Sequence, residues 1–286
     1  MHQSQDNESA GARYTQLQMN AQAAISAMEL YEAFGETEYL SRGVSFARIL
    51  MACQASAVDP SFSIPLRGYF YENETHERIQ TYYHRSYEHK AFAMLYRLAP
   101  EHEDAARWKN SLELYREYVA LTSRTVPYGL LPNGIYELDN TDFSTITHEG
   151  ARAAGAPSLE EYNAQVRNGI RLNDRFYLRV FPVAYQFRGF HATLMGRALA
   201  AMELARALND REIKQVAVRQ MEWILGCNPF AVSSMYGEGH DYHPLYAPMS
   251  PQLVGAVPVG FETFENEDQP FYPMQNNATY KEVWVH

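Results

Sequence analysis

The sequence predicts an all-α chain built as an array of αα-hairpins, and three observations carry that reading. Apolar residues recur at helical spacing in several long segments, short Gly- or Asn-containing turns join those segments in pairs, and the first and last pairs repeat one pattern. Glu29-Leu-Tyr-Glu-Ala-Phe-Gly-Glu-Thr-Glu38 parallels Glu203-Leu-Ala-Arg-Ala-Leu-Asn-Asp-Arg-Glu212. In both, a helix turns through Gly or Asn into a second helix that starts on acidic residues, which complement the positive end of its dipole. Such units stack to bury the face that each leaves exposed.

The elements follow in order. The polar opening, residues 1–13, reads as a disordered tail, and residues 14–286 as a single helical domain. A first helix is expected from about Tyr14 to Phe34, on Leu17, Ala21, Ala24, Ile25, Met28 and Tyr31, with Gly35 ending it. A second runs from Thr37 to about Ala55 on Tyr39, Leu40, Val44, Ala47, Leu50 and Met51. The stretch Val58 to Tyr71, with Pro60, Pro65 and Gly68, is a long connection with short extended pieces. A third helix is expected from Thr81 to Leu98 and a fourth from Glu103 to Arg124, parted at Pro100. Val126 to Leu159 is rich in Gly, Pro, Asn and Asp, and an irregular segment that long inside a compact domain usually serves function. Ser158 and Glu161 stand at capping-box spacing, which predicts a short helix over 158–168. The last pair covers Phe190 to Leu208 and Asp210 to Leu225, and no regular helix is evident after Gly226.

Composition narrows the partners. The net charge of −10 over 286 residues, with no basic run, argues against nucleic acid and against an anionic membrane surface. No apolar run reaches membrane length, and the first residues lack the basic and apolar regions of a signal peptide. The 21 Tyr and 14 Phe fit two readings, core packing and a groove that stacks sugar rings. Two cysteines make no disulfide framework: Cys53, among apolar residues, is expected to be buried, and Cys227 to be accessible. No Cys/His cluster has zinc-site spacing, so neither metal nor cofactor is expected.

The densest signal is Trp223-Ile-Leu-Gly-Cys-Asn-Pro-Phe-Ala-Val-Ser-Ser-Met-Tyr-Gly-Glu-Gly-His240. Gly226 suits a left-handed helix end and Pro229 stops the helix from resuming. Gly237 and Gly239 then flank Glu238, followed by His240, Asp241, Tyr242 and His243. A loop with this much conformational entropy to lose must be held in place, and such loops on helical scaffolds commonly line binding sites.

Leu225-Gly226-Cys227-Asn228-Pro229-Phe230 with Ser233, Gly237 and Gly239 resembles the LGxNP…S…GxG signature of the family nine glycoside hydrolases. The resemblance implies an (α/α)6 toroid of six hairpins that cleaves β-linked glycans at one end, and hence a carbohydrate substrate. Only about three hairpins are countable, so the chain is expected to be the C-terminal part of a longer barrel; a smaller, open array is the alternative. An open half-ring would expose apolar edges, so a homo-oligomer is also expected.

Glycosidic cleavage generally uses two carboxyl groups. The resemblance implies water-activating carboxylates in a DAGD-like motif, which has no counterpart here. It implies a general acid at the position of Asn277, which cannot give a proton, and Glu282 is the nearest carboxylate able to substitute, beside the apolar Val283 and Trp284 and against the opposing charge of Lys281. Sugar contacts are expected from Tyr236, His240, His243 and Asn277 around this loop. His84, Arg85, Glu88 and His89 form a second cluster at helical spacing, in which Arg85 and the histidines would grip sugar hydroxyls or a carboxylate; a solvated helix start with local ion pairs is the competing reading. Glu265, Glu267 and Asp268 read as a solvated acidic loop. Two further functions stay open: a β-elimination lyase using Tyr and His, and a glycan-binding module without catalysis.

Overall fold

The computed structural model describes residues 15–81, 88–140, 158–183, 191–242 and 253–271, other than 259, 261, 265 and 266. Within these residues the chain forms three αα-hairpins: α1 (Gln16–Phe34) with α2 (Thr37–Ala52), α3 (Glu88–Leu98) with α4 (Ala105–Thr125), and α6 (His191–Leu208) with α7 (Arg211–Ile224). The short α5 (Leu159–Arg167) lies between the second and third.

Local chemistry sets the ends of these helices. Thr15 caps α1 in a reciprocal box: its hydroxyl accepts from Gln18 N at 3.2 Å, and the Gln18 side chain accepts from Thr15 N at 3.2 Å. Ser158 and Glu161 close the same box on α5, at the spacing the sequence predicts. The Asp210 carboxylate accepts from Glu212 N and Ile213 N at 2.8 and 3.1 Å, so the acidic start of α7 is a true N-cap. Thr81, about where the third helix is expected to begin, is itself non-helical, and Gln80 N donates to Phe70 O at 2.8 Å in a short antiparallel pairing of the preceding connection.

The first helices of the hairpins lie side by side, with α3 between α1 and α6. Arg97, near the end of α3, reaches Glu32, near the end of α1, at 2.7 Å, so the two helices run the same way. The second helices pack alongside, and Arg116 of α4 joins Asp210 and Glu212 at the start of α7 at 2.7 and 2.9 Å. A continuous core runs through all three hairpins, from Leu17, Ile25 and Leu50 through Phe92, Trp108 and Leu112 to Leu204, Val216 and Trp223. No helix among the described residues is long and apolar enough to cross a membrane.

The scaffold is helical as expected, with a small sheet added in the connection after α4. Strands β1 (Gly134–Glu137), β2 (Ile170–Arg171) and β3 (Phe176–Arg179) pair antiparallel in the order β1-β3-β2, with Gly134 opposite Arg179 and Ile170 opposite Leu178. The β2–β3 turn is fixed by Asn173, whose side-chain oxygen accepts from Arg175 N and Phe176 N, both at 2.8 Å. A second two-stranded piece pairs β4 (Glu262–Thr263) with β5 (Pro270–Phe271).

Candidate functional site

Each hairpin closes through a short turn, so the long connections after α2, α4 and α7 leave from the opposite end. There they are tied to one another. Ser63 N donates to Leu172 O at 2.6 Å, and the Ser63 hydroxyl donates to Arg171 O at 2.8 Å. Asn173 donates to the Ser61 hydroxyl at 2.9 Å. These bonds join the first connection to the second.

The second joins the third around a buried ion pair. Asp268 accepts from Val180 N and Phe181 N at 3.0 and 2.9 Å, and the Thr263 hydroxyl donates to Pro182 O. The Arg179 guanidinium, fully buried, lies 3.7 Å from the Asp268 carboxylate and donates to the carbonyls of Phe181, Gln165 and Glu267. Burial holds the Asp268 carboxyl above the usual carboxylate range, opposed by Arg179 and the two N–H donors. Burial likewise lowers the pKa of Arg179. The reading of a solvated acidic loop is therefore corrected at Asp268: its carboxylate is the anchor of this loop, while Glu267 is exposed.

The signature loop closes the rim. After α7, Gly226 adopts φ 110, and Cys227 N reaches back to Glu222 O at 2.9 Å, the helix stop that the sequence predicts. Asn228 is the internal pin: its amide donates to Trp223 O and Val232 O, both at 2.8 Å, and its carbonyl oxygen accepts from Phe230 N at 3.1 Å. Ser234 N donates to Ile224 O at 2.8 Å, and Ser233 N to Asp241 O at 2.9 Å. Tyr236 pairs with the incoming chain, its N donating to Ala256 O at 2.9 Å and its O accepting from Gly255 N at 2.8 Å. His191, buried at the start of α6, donates from Nδ1 to Pro258 O at 3.1 Å, and its Nε2 faces the Ser234 hydroxyl at 3.4 Å. The loop is thus held from α6, α7 and the 253–258 segment.

What this frame presents is aromatic and polar. Tyr236 and Tyr242 meet edge to face at 5.3 Å. His240, 98% exposed, stands 3.4 Å from Asp241. An apolar ring face beside hydroxyl, imidazole and carboxylate groups matches the alternating C–H and O–H surfaces of a sugar. Among the described residues no group of His, Cys, Asp and Glu could hold a metal ion.

The structure thus places Tyr236 and His240 on one pinned loop. His84, Arg85, His243, Asn277 and Glu282 lie outside the described residues. The neighbours of the first two correct the picture of a solvated helix start: Glu88 and His89 are buried, and the His89 ring stacks on Tyr115 at 4.2 Å. Cys53 is buried and Cys227 exposed, as expected, and burial together with the nearby Glu74 and Glu88 pushes the Cys53 thiol up to about 12. Sequence reasoning missed Arg179, Arg197, Gln220 and His191, which organise the rim from inside. The available signal was a charged residue within an apolar run, as in Phe176-Tyr-Leu-Arg-Val-Phe181.

No family model and no curated protein matches the chain. Solved structures similar to it include the cellulase Cel9M of C. cellulolyticum, 12% identical with a TM-score of 0.49, covering 99% of this chain and 49% of that one. The catalytic domain of Clostridium thermocellum CelT is 13% identical with a TM-score of 0.33, covering 94% of this chain and 56% of that one. A metagenome-derived glycoside hydrolase family 9 endoglucanase is 16% identical with a TM-score of 0.33, covering 94% and 49%. The chain spans about half the length of these structures. At such identities and scores the likeness carries no weight on activity, and the hairpin array stands on the chain's own contacts.

Proposed function

We propose that this chain is a family nine glycoside hydrolase-like protein whose loop rim binds a β-linked oligo- or polysaccharide and supports its hydrolysis by carboxylate acid/base chemistry. The observation that carries the proposal is the loop from Leu225 to Tyr242. It bears the LGxNP…S…GxG pattern, is pinned through Asn228, and carries Tyr236, Tyr242 and His240 together. Preorganised contacts of this type favour binding because less ordering remains to be done when ligand arrives.

In this reading Tyr236 and Tyr242 take the faces of sugar rings, and His240, His243 and Asn277 hydrogen-bond their hydroxyls. His84 and Arg85 add contacts from the start of the second hairpin. Glu282, beside Val283 and Trp284, protonates the leaving glycosidic oxygen as the bond to the anomeric carbon breaks. Water that adds to that carbon must give its proton to a second carboxylate, for which the sequence holds no DAGD-like motif; without a replacement the chain binds glycan but does not turn it over.

The test is incubation of the purified chain with neutral and uronic-acid glycans. New reducing ends without absorbance near 235 nm support hydrolysis, whereas a rise at that wavelength indicates elimination. Glycan binding without turnover removes the catalytic half of the proposal and keeps the binding half. Full hydrolysis by Glu282→Gln would remove Glu282 as the acid.

A further inference from the structure

Tyr128 lies in the short 3-10 turn Pro127–Gly129 that follows α4, with φ 66 and ψ −1. Left-handed backbone is rare for a bulky aromatic residue and persists only where the surroundings over-determine it. Here they do. The Gln220 amide donates to Gly129 O at 3.2 Å and its oxygen accepts from Leu131 N at 2.8 Å. Arg197 donates to Leu131 O at 2.9 Å, to Asn133 O at 2.6 Å and to Pro132 O. Both side chains are buried, so the turn is clamped from within.

The result does not hide the ring. Tyr128 remains 50% exposed and meets Trp223 edge to face at 5.1 Å and 61°, with a looser contact to Phe181 at 6.4 Å. Packing alone gives no reason to keep a strained, half-exposed aromatic residue at a position where glycine would be free of strain. Backbone strain of this kind is commonly retained for the sake of a ligand. Trp223 also links the turn to the signature loop, since its carbonyl is one of the two that Asn228 holds.

We infer that Tyr128 is a stacking platform for a pyranose ring, supported from behind by Trp223 and aimed by the left-handed turn. This rests on the glycan-binding reading above and adds to it a subsite outside the signature loop. The ligand is one sugar unit of a β-linked chain, recognised through its C–H face.

Tyr128→Ala, Tyr128→Gly and Tyr128→Trp test it, with melting temperature and affinity for soluble β-linked oligosaccharides read together. Ala and Gly both delete the ring, but only Gly relieves the backbone. Gly should therefore melt about 2–4 °C above Ala. Both should lose about tenfold in affinity, and to the same extent, while Trp keeps most of it. Affinity that recovers in the Gly variant along with stability would make Tyr128 merely structural and overturn the inference. So would unchanged affinity in both truncations, or equal melting of Ala and Gly. If the unaltered chain binds none of the oligosaccharides, the glycan reading itself fails and takes this subsite with it.

Discussion

Replacing His89 with Phe should stabilise this protein and flatten its response to acid. His89 lies near the start of α3 and has no exposed surface, and neither ring nitrogen has a hydrogen-bond partner among the described residues. Its ring lies flat on Tyr115, 4.2 Å away and tilted by 13°. Burial lowers its pKa from 6.5 to about 3. Between those values the unfolded chain binds the proton and the folded chain does not, so stability is lost as pH falls. The slope is about 1.4 kcal/mol per pH unit, or roughly 2 kcal/mol between pH 6.5 and pH 5. Phe keeps the stack, removes two unpartnered polar atoms and does not titrate. At pH 7 the variant should gain about 1–3 kcal/mol, the usual penalty of a buried unsatisfied group, and the gap should widen by about 2 kcal/mol at pH 5. Urea unfolding at the two pH values, followed by tryptophan fluorescence, measures both quantities. Parallel loss of stability by the two proteins over this range would refute the argument, as would a variant weaker at pH 7.

Three other substitutions probe the connections. A Cβ on Gly68, at φ +85, would stand 2.0 Å from Leu114 O, so Gly68→Ala should lose about 3 kcal/mol or more and melt several degrees lower in calorimetry. Asn228→Asp keeps the shape but cannot donate to Trp223 O and Val232 O; it should lose about 1–3 kcal/mol, open the loop to limited proteolysis and weaken glycan binding. Asp268→Asn leaves Arg179 buried without its counter-ion and turns one of two accepting oxygens into a donor. Its urea midpoint should fall by the equivalent of about 3 kcal/mol, and an unchanged midpoint would show that the pair is dispensable.

The helices were legible because each buries one stripe. Leu17, Ala21, Ala24, Ile25 and Met28 recur at the spacing that α1 buries, and Ser158 and Asp210 sit where caps belong; the Thr15 cap went unread. The sheet was not legible. β1 is four residues long and β2 two, too short for alternation to register against a helical period, and their partners are set by a turn at Asn173. The rim was visible as unusual sequence but not as a structure. The bonds of Ser61 and Ser63 to residues 171–173 span more than a hundred positions and follow no pattern in either segment. Asp268 was misread for the same reason. Three acidic residues within four positions look solvated until the chain brings Arg179 and two main-chain N–H groups to one of them.

Irregular backbone explains why buried donors gather at one end of the molecule. A helix satisfies its own carbonyls, but the connections after α2, α4 and α7 have few ladders to do so, and a buried carbonyl without a donor is destabilising. Arg179, Arg197 and Asn228 each donate to two or more main-chain carbonyls, Gln54 donates to Gly68 O, and Gln220 ties both an N–H and a carbonyl of the 129–131 turn. A guanidinium can serve several carbonyls at fixed angles and a lysine cannot, so Arg197→Lys should loosen the 131–133 segment although charge is kept. The same clamp holds Tyr128 in its left-handed turn. Scaffold and site should therefore separate under substitution. Trimming the apolar face of α1, at Leu17 or Ile25, should lower stability and leave glycan affinity unchanged in the fraction that remains folded. Loss of Arg197 or Asn228 should change both, because those side chains fix the shape that ligand meets.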